Sequence, residues 1–428
     1  MTIEVKGNWV DDCVSDCSHV ETPESWLWWS FLCCISAAAG NNYFVKALKG
    51  DFIYKPNLYI MLLGESGLGK GFPINRAKRL VQSAEVTRVI AGRSSIQAIV
   101  TELSTTKKLE NKDLILDGRA LIINGELSTA IIADPDALTI LTDLFDGHYN
   151  PEWDNLLKGT GREKLKNPYI TALFGSSPAH FYDSIPQANI EGGYIGRNLI
   201  IFEEKRSKDV DILDFAEDDE STETEDQKFE KYLTPKYVPH LQKIAGKKGR
   251  LRPTESARQL FNTWRKAWRA KQPSDKTGFL NRVPDHTMKV AMCLSLAEYD
   301  FNGYIEDFHV QTAIDKVTHL VYANKKAAEG RGNDPLANQS KMVLDLLLAA
   351  PENKLTRLQM IRKGYGHYDS FTFDKVIENL LEMKWVRREK TGQGSHMDWV
   401  IYLTGQPLEE YKKFIAGQSQ KKKGIVKT

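Results

Sequence analysis

Short apolar runs alternate with segments of helical periodicity between residues 57 and 205, and this pattern predicts a parallel β-sheet. Strands separated by helices are typical of a parallel sheet that is covered on both faces. The predicted strands are Leu58 to Leu63, Val86 to Ile90, Ala120 to Asn124, Tyr169 to Gly175 and Asn198 to Phe202. The chain is therefore expected to have an α/β core.

The residues before this core, 1–56, are expected to form a helical segment. An apolar, aromatic-rich stretch from Trp26 to Ala39 follows Pro23 and stops at Gly40, which are the usual signals for the start and end of a helix.

Two segments of different composition follow the core. Residues 206–227 are rich in Asp and Glu and poor in aromatic residues, which predicts a mobile acidic loop. The alternative is that this acidic stretch mimics nucleic acid and blocks a basic channel. Residues 228–330 return to helical periodicity and are expected to pack as a helical lid.

The last part of the chain, residues 335–410, shows three helical segments followed by two short strands. The helices are expected at Gln339 to Ala350, Arg357 to Lys363 and Phe371 to Lys384, and the strands at Trp385 to Glu389 and Trp399 to Leu403. This order predicts a winged helix, a fold that binds DNA in some proteins and other proteins in others. Residues 411–428 form a basic tail.

The composition is ordinary for a globular chain, with 428 residues, 41% hydrophobic residues and a formal net charge of +2. The length predicts roughly two to four structural units. No apolar run is long enough to span a bilayer, and the N-terminus lacks the apolar region of a secretory signal. We therefore expect no membrane partner and a cytoplasmic location.

The five cysteines are an odd number, and Cys33 and Cys34 are adjacent within an apolar helical pattern. This usage favours reduced thiols over a disulfide framework. Cys13, Cys17 and His19 could belong to a zinc site, but no second pair of ligands has the usual spacing. No metal-ligating residues are therefore assigned.

The first predicted strand runs into a glycine-rich loop that ends in a lysine, which is the sequence pattern of a phosphate-binding P-loop. The loop consists of Gly64, Glu65, Ser66, Gly67, Leu68, Gly69, Lys70 and Gly71. Its backbone N–H groups are expected to surround phosphate oxygens, and Lys70 is expected to reach the terminal phosphates. Gly71 stands where the motif normally has a Ser or Thr that binds Mg²⁺.

Glu126 is the candidate for polarising a water molecule that attacks the nucleotide, because it follows a buried strand that should end beside the P-loop. Gly125 precedes it where an aspartate would usually bind Mg²⁺. Both usual protein contacts to Mg²⁺ are thus missing, so ATP and Mg²⁺ are predicted with the metal held by phosphates and water. The alternative for Glu126 is a surface carboxylate at the end of a strand.

Two further features surround the predicted fourth strand. Ser176 directly follows that strand, where a residue that senses the terminal phosphate would lie, although a serine in a turn before proline explains it almost as well. Before the strand, a Gly-Thr-Gly turn predicts a hairpin that could follow a nucleic-acid backbone. Its basic residues are Lys158, Arg162, Lys164 and Lys166. A solvated surface hairpin is the alternative.

Arg197 lies after a glycine-rich segment and directly before the last predicted strand. An arginine there could act on the phosphates bound by a neighbouring subunit, which requires an oligomer. The alternative is an ion pair with Glu203 or Glu204 at the strand edge.

The order of these motifs resembles the AAA+-like helicase domains of phage and mobile-element replication proteins, and is similar to superfamily three and MCM-like replicative helicases. The resemblance covers roughly residues 20 to 325. It implies a DNA-contacting hairpin from Lys158 to Lys166, Ser176 as sensor one, Arg197 as arginine finger and Arg282 as the sensor two arginine of the lid. A separate partner is expected to supply priming, because residues 1–56 contain no primase-like segment.

The sequence thus predicts an ATP-driven, hexameric helicase that moves on single-stranded DNA. Catalysis is expected from Lys70, Glu126, Ser176, Arg197 and Arg282. Two other functions stay open: a degenerate nucleotide-binding protein that serves as a DNA-binding or helicase-loading scaffold, and a DNA-binding regulator that acts through the winged helix.

Overall fold

The computed structural model divides the chain into two compact units, Met1–Gly330 and Arg331–Thr428. The residues that it describes are 7–47, 52–92, 94–104, 118–126, 136–147, 152–157, 161–178, 180–181, 185, 193–210, 225–271, 275, 277–321, 337–365, 368–391 and 398–404. The predicted acidic loop falls mostly, and the predicted basic tail entirely, outside these residues.

The first unit opens with helices α1 (Trp9–Asp16) and α2 (Glu24–Ala39) and two short strands, β1 (Tyr43–Ala47) and β2 (Phe52–Tyr54). The expectation of an entirely helical segment over 1–56 was therefore wrong for the part after Gly40. Aromatic and β-branched residues follow the end of α2, and strands favour these residue types. β1 pairs antiparallel with β2 and parallel with β10 (Gly249–Arg250).

The core of the first unit is a five-stranded, all-parallel sheet in the order β4-β5-β8-β3-β9. Its strands are β3 (Tyr59–Leu63), β4 (Arg88–Ala91), β5 (Arg119–Asn124), β8 (Tyr169–Ser176) and β9 (Asn198–Phe202). The five predicted strands are confirmed, with bounds that differ from the predictions by at most two residues. The predicted α/β class is likewise confirmed.

The residues of β3 alternate between two hydrophobic cores, one on each face of the sheet. Tyr59, Met61 and Leu63 belong to one core, and Ile60 and Leu62 belong to the other. This alternation follows from the two-residue period of a strand. Because both faces are covered, β3 reads in the sequence as a continuous apolar run.

Helices and a hairpin connect the strands. They are α3 (Gly71–Ala84), α4 (Ile96–Ser104), α5 (Ala137–Phe145), the hairpin β6 (Glu152–Leu157) and β7 (Gly161–Lys166), and the one-turn helix α6 (Tyr194–Arg197). After β9 the described elements are mostly helical, as predicted. They are α7 (Glu225–Lys228), a π-helix (Phe229–Leu233), α8 (Thr234–Ala245), β11 (Arg252–Pro253), α9 (Glu255–Lys271), α10 (Phe279–Ala297), β12 (Tyr304–Ile305) and α11 (Asp307–His319).

The second unit contains the three predicted helices and the two predicted strands. They are α12 (Ala337–Leu348), α13 (Arg357–Lys363), α14 (Ser370–Glu382), β14 (Val386–Thr391) and β15 (Asp398–Leu403). A strand that was not predicted, β13 (Lys354–Thr356), pairs with β15 and gives a three-stranded antiparallel sheet. The helices and this sheet enclose a small core of their own that includes Val343, Leu347 and Phe373.

Candidate functional site

The glycine loop follows β3 at the carboxyl edge of the sheet and joins it to α3. Gly67 and Gly69 have φ angles of +89° and +86°, which L side chains rarely adopt. A Cβ on Gly64 would lie 2.7 Å from the Trp26 ring, so any other residue at this position would clash with the ring. These glycines are needed for the loop conformation, and the loop lies at the N-terminus of a 14-residue helix, where anions bind favourably.

Lys70 lies over this loop. Its Nζ donates to the backbone carbonyls of Gly64, at 2.7 Å, and of Glu65, at 2.9 Å, and lies 5.8 Å from the centroid of the Trp26 ring. Partial burial lowers the pKa of Lys70, and the carboxylates of Glu65 and Glu126 oppose that shift. The ammonium is thus held at the mouth of the loop.

Glu126 is exposed at the same edge, just beyond the end of β5. The chain just before Glu126 packs closely against Gly175 of β8. A Cβ on Gly175 would lie 2.4 Å from the backbone oxygen of Gly125. The Asn124 amide donates to the carbonyl of Gly92, at 3.1 Å, and so ties the end of β5 to the chain that leaves β4. The electrostatic effect of Glu126 on Lys70 is consistent with both side chains facing one site.

Ser176 also lies at this edge, since it pairs with Leu63, the last residue of β3. Its carbonyl accepts the N–H of Gly64 at 3.3 Å. Its side chain is buried, however, and the hydroxyl donates to the carbonyl of Ser177 at 3.2 Å. Ser176 therefore lies at the predicted position, with its hydroxyl directed at the backbone.

The residues fit the phosphates of a nucleotide better than they fit a protein-bound Mg²⁺. A Cβ on Gly71 or on Gly125 would meet nothing within 4 Å, so a hydroxyl or carboxylate would have room at either position, but neither residue carries one. Within the described part of the chain, no group of three His, Cys, Asp or Glu residues could hold a metal ion. Mg²⁺ at this site would depend on phosphate oxygens and water.

Sequence reasoning missed a second cation at the loop, Arg206. Its Nη2 donates to the carbonyl of Gly67 at 3.2 Å, and its Nη1 forms an ion pair with Glu21. The only local signal was a basic stretch after β9, which contains Lys205, Arg206 and Lys208. Nothing in that stretch indicated contact with a loop more than a hundred residues earlier.

Arg197 lies at the opposite, amino edge of the sheet. It directly precedes Asn198, which pairs with Tyr59, the first residue of β3, whereas the P-loop follows the last residue of β3. Its Nε donates to Asp146 at 3.0 Å, and its Nη1 donates to the carbonyl of Gly193 at 3.0 Å. The suggested ion pair with Glu203 or Glu204 was wrong, because these glutamates follow β9 at the other edge.

Arg282, on α10, lies beside Arg197. A Cβ on Gly193 would be 2.9 Å from Arg197 Nη1 and 3.7 Å from both terminal nitrogens of Arg282. Burial and the nearby charge of Arg197 lower the pKa of Arg282. Arg197 and Arg282 are separated from the P-loop of the same chain by the length of β3, which is about 17 Å for five residues at roughly 3.3 Å per residue. The structure thus gathers the predicted residues into two groups, one at each edge of the sheet.

The predicted basic hairpin exists and extends from the amino edge. Trp153 and Leu165 are buried at its base, while Lys164 and Lys166 are exposed. In the backbone register of the hairpin Lys166 pairs with Glu152, so this end carries less net positive charge than its basic residues alone suggest. Lys158 and the side chain of Arg162 lie outside the described residues.

In the second unit, the hairpin of β14 and β15 is more basic than the third helix. Arg387 stacks over Tyr402 with 4.7 Å to the ring centroid, and Arg388 stacks over Trp399 at 4.8 Å. The helix α14 carries three acidic residues, Asp374, Glu378 and Glu382, against Lys375. A phosphate backbone would therefore meet the hairpin more favourably than this helix.

The remaining sequence predictions concern cysteines, metal and membrane. All five cysteines are free and buried, and burial raises the pKa of each thiol. Reduced thiols agree with the prediction, and the suggested zinc site at Cys13 and Cys17 has no set of three ligands among the described residues. No helix in the described ranges has both the length and the apolar character needed to cross a bilayer.

No model of a known protein family matches this sequence, and no curated protein matches it closely enough to count as a relative.

Proposed function

We propose that this protein is a P-loop ATPase of the AAA+ type that works as a hexameric helicase on single-stranded DNA. The proposal rests on the placement of the candidate residues at two opposite edges of the central sheet. One edge carries the glycine loop, Lys70 and Glu126, and the opposite edge carries Arg197 and Arg282. Contact between unlike edges of neighbouring copies is a heterologous contact, which closes into a ring when the rotation allows it.

The chemistry of the carboxyl edge is hydrolysis of the terminal phosphate of ATP. The loop N–H groups and Lys70 would hold the β- and γ-phosphates, and Glu126 would accept a proton from the attacking water. As the bond from phosphorus to the water oxygen forms, the bond to the bridging oxygen of ADP breaks, and negative charge moves to that oxygen. Lys70 offsets this charge from a fixed position, so little reorganisation is needed.

The two arginines would act on the nucleotide of a neighbouring subunit. In its own chain each lies a whole strand length from the P-loop. A neighbour's carboxyl edge packed against this amino edge would bring Arg197 and Arg282 to its γ-phosphate, where an arginine stabilises charge in the transition state. On this proposal the helices from 228 to 330 serve as the lid, and Arg282 acts across the interface.

Single-stranded DNA would bind through the hairpin of β6 and β7, whose exposed lysines project from the amino edge. Backbone neutralisation of this kind is independent of sequence. The second unit, on this proposal a winged helix, would add duplex contacts through β14 and β15. A separate protein would supply the primer, and a cytoplasmic location in a bacterial host fits this role.

The test is steady-state hydrolysis of ATP with Mg²⁺, with and without single-stranded DNA, for the intact chain and for Lys70→Ala. Turnover that requires Lys70 and rises with DNA supports the proposal. Nucleotide binding without turnover would favour the second candidate, a scaffold that binds ATP without hydrolysing it. Gly71, Gly125 and the turned hydroxyl of Ser176 are the observations that favour this candidate.

A further inference from the structure

The segment after β9 holds the P-loop against the N-terminal part of the chain. The N–H of Ser207 donates to the carbonyl of Glu21 at 3.1 Å, and the Ser207 hydroxyl accepts the N–H of Glu24 at 2.8 Å. Arg206 directly precedes Ser207, so these contacts hold its backbone beside the loop. Its side chain is 43% exposed and therefore open to a ligand.

The guanidinium of Arg206 is already directed at the phosphate-binding loop. It donates to the carbonyl of Gly67, in the middle of the loop, at 3.2 Å. A guanidinium carries five N–H donors in a planar fork that matches two phosphate oxygens, and its two contacts engage only the terminal nitrogens. A phosphate held by the N–H groups of this loop would lie within reach of the same side chain.

The charges at the carboxyl edge favour a second cation besides Lys70. Glu65, Glu126 and Glu203 bring negative charge to this edge, and a nucleoside triphosphate would add more. Gly71 and Gly125 provide no ligand for a charge-neutralising metal ion. Arg282, the arginine expected to serve the nucleotide from the lid, lies at the other edge.

We propose that Arg206 is a nucleotide-binding residue that donates to the phosphates of a nucleoside triphosphate held by its own chain. This inference rests on the proposed function, because it requires that the loop binds such a nucleotide. In the bound state the fork of Arg206 faces phosphate oxygens together with Lys70, and the pair supplies two of the positive charges that the site needs.

A purely structural role for Arg206 makes a different prediction about Glu21. If the ion pair with Glu21 only fastened the N-terminal segment to the loop, removing either partner would weaken nucleotide binding equally. If Arg206 contacts phosphate, Glu21 competes for the same guanidinium. Neutralising Glu21 would then leave binding unchanged or make it tighter.

The experiment measures the dissociation constant of ATP for the full-length protein by calorimetric titration. The variants are Arg206→Ala, Arg206→Lys, Glu21→Gln, Lys70→Ala and, as the matched control, Lys208→Ala. Lys208 carries the same charge two residues further on and donates to the carbonyl of Ser18, also in the N-terminal segment. Thermal unfolding of each variant checks its folding, and Arg206→Lys carries the test if the alanine variant does not fold.

We expect Arg206→Ala to weaken ATP binding about tenfold or more, Arg206→Lys to weaken it less, and Lys208→Ala to change it less than about twofold. Glu21→Gln should bind ATP at least as tightly as the wild type. Unchanged binding by Arg206→Ala, or equal weakening by Glu21→Gln, would overturn this inference alone. Wild-type protein that binds ATP no better than Lys70→Ala would overturn the proposed function, and this inference with it.

Discussion

The two edges of the central sheet differ in how their charged side chains are held. At the carboxyl edge, Glu65 and Glu126 are exposed, and Lys70 and Arg206 rest on loop carbonyls. At the amino edge, Arg197 is only 9% exposed and is paired with Asp146. The first edge is exposed to solvent, whereas the second holds Arg197 in a largely buried ion pair.

On the proposed function, this difference is a division of labour along one sheet. An open edge with loop N–H groups can exchange ligands, and a buried, paired guanidinium keeps one orientation because burial removes its alternatives. A charge that must meet a neighbour's phosphate at a fixed distance benefits from that rigidity. The predictions below test the open edge first and then the buried one.

The largest effect is expected at Glu126. Glu126→Gln keeps the size of the side chain but cannot accept the proton of the attacking water, so kcat should fall by about 10²–10⁴-fold while ATP still binds. Hydrolysis assays and ATP titration measure both quantities. Glu204→Gln is the matched control, since it removes the same charge from an exposed residue at the same edge but outside the loop; an equal loss of kcat in both variants would contradict the role of Glu126.

At the amino edge, the buried amine of Lys289 should make the free energy of unfolding depend on pH. Its amine donates to Asn57, lies 4.4 Å from the centroid of the Phe145 ring, and has a pKa lowered by burial from 10.5 to about 8. Between pH 8 and 10.5 the folded chain releases this proton before the unfolded chain does. Relative to Lys289→Met, the wild type should therefore gain about 3 kcal/mol of stability as the pH rises across that window, while the buried thiols, which act in the opposite direction, are common to both proteins.

Denaturant unfolding at several pH values between 7 and 10.5 measures this contribution. Lys266→Met, at an exposed lysine, is the control and should keep the wild-type pH dependence. If the difference in stability between the wild type and Lys289→Met does not change with pH, the amine is not buried in solution.

The close approach of β5 and β8 at the carboxyl edge gives the next effect. Gly175→Ala would place a Cβ 2.4 Å from the backbone oxygen of Gly125 and should lower the free energy of unfolding by about 1–3 kcal/mol. Gly71→Ala meets nothing within 4 Å and serves as the control for adding a methyl group near the loop. Equal stability of the two variants by chemical denaturation would mean that the ends of β5 and β8 are further apart than in this structure.

The smallest effect is expected for the hairpin, because Glu152, which pairs with Lys166, offsets part of its positive charge. Lys164→Ala combined with Lys166→Ala should weaken binding of single-stranded DNA a few-fold and reduce the salt slope by about 0.7 for each phosphate that the variant no longer neutralises. Fluorescence titration at several salt concentrations gives both values. Arg387→Ala in the second unit is the comparison: if it alone changes the slope, single-stranded DNA binds the other unit.

Much of the fold was predictable because it is local. The strands of the parallel sheet are continuous apolar runs, and the glycines of the P-loop are needed by the loop itself, so both leave a signal in adjacent residues. β10 and β13 were missed, since each is short and depends on a partner that is distant in sequence, β1 for one and β15 for the other.

The site was only partly predictable, for the same physical reason. Lys70, Glu126 and Ser176 were found because each ends or follows a recognisable strand. Arg206 was missed, because its role depends on contact with Gly67 across the fold. The position of Arg282 beside Arg197 depends on how α10 packs against α6, and periodicity does not reveal this. The pairing of Lys166 with Glu152 became visible only with the hairpin register.

The most direct test of a site shared between two sheet edges mixes two inactive variants. Lys70→Ala lacks the carboxyl-edge cation, and Arg197→Ala lacks the amino-edge cation, so each alone should hydrolyse ATP very slowly. In an equimolar mixture, about a quarter of the heterologous contacts join an intact loop to an intact arginine. ATPase activity should therefore return on mixing, to a level well above either variant. Mixed oligomers, confirmed by native mass spectrometry, that remain as inactive as their parents would contradict a site built from both edges.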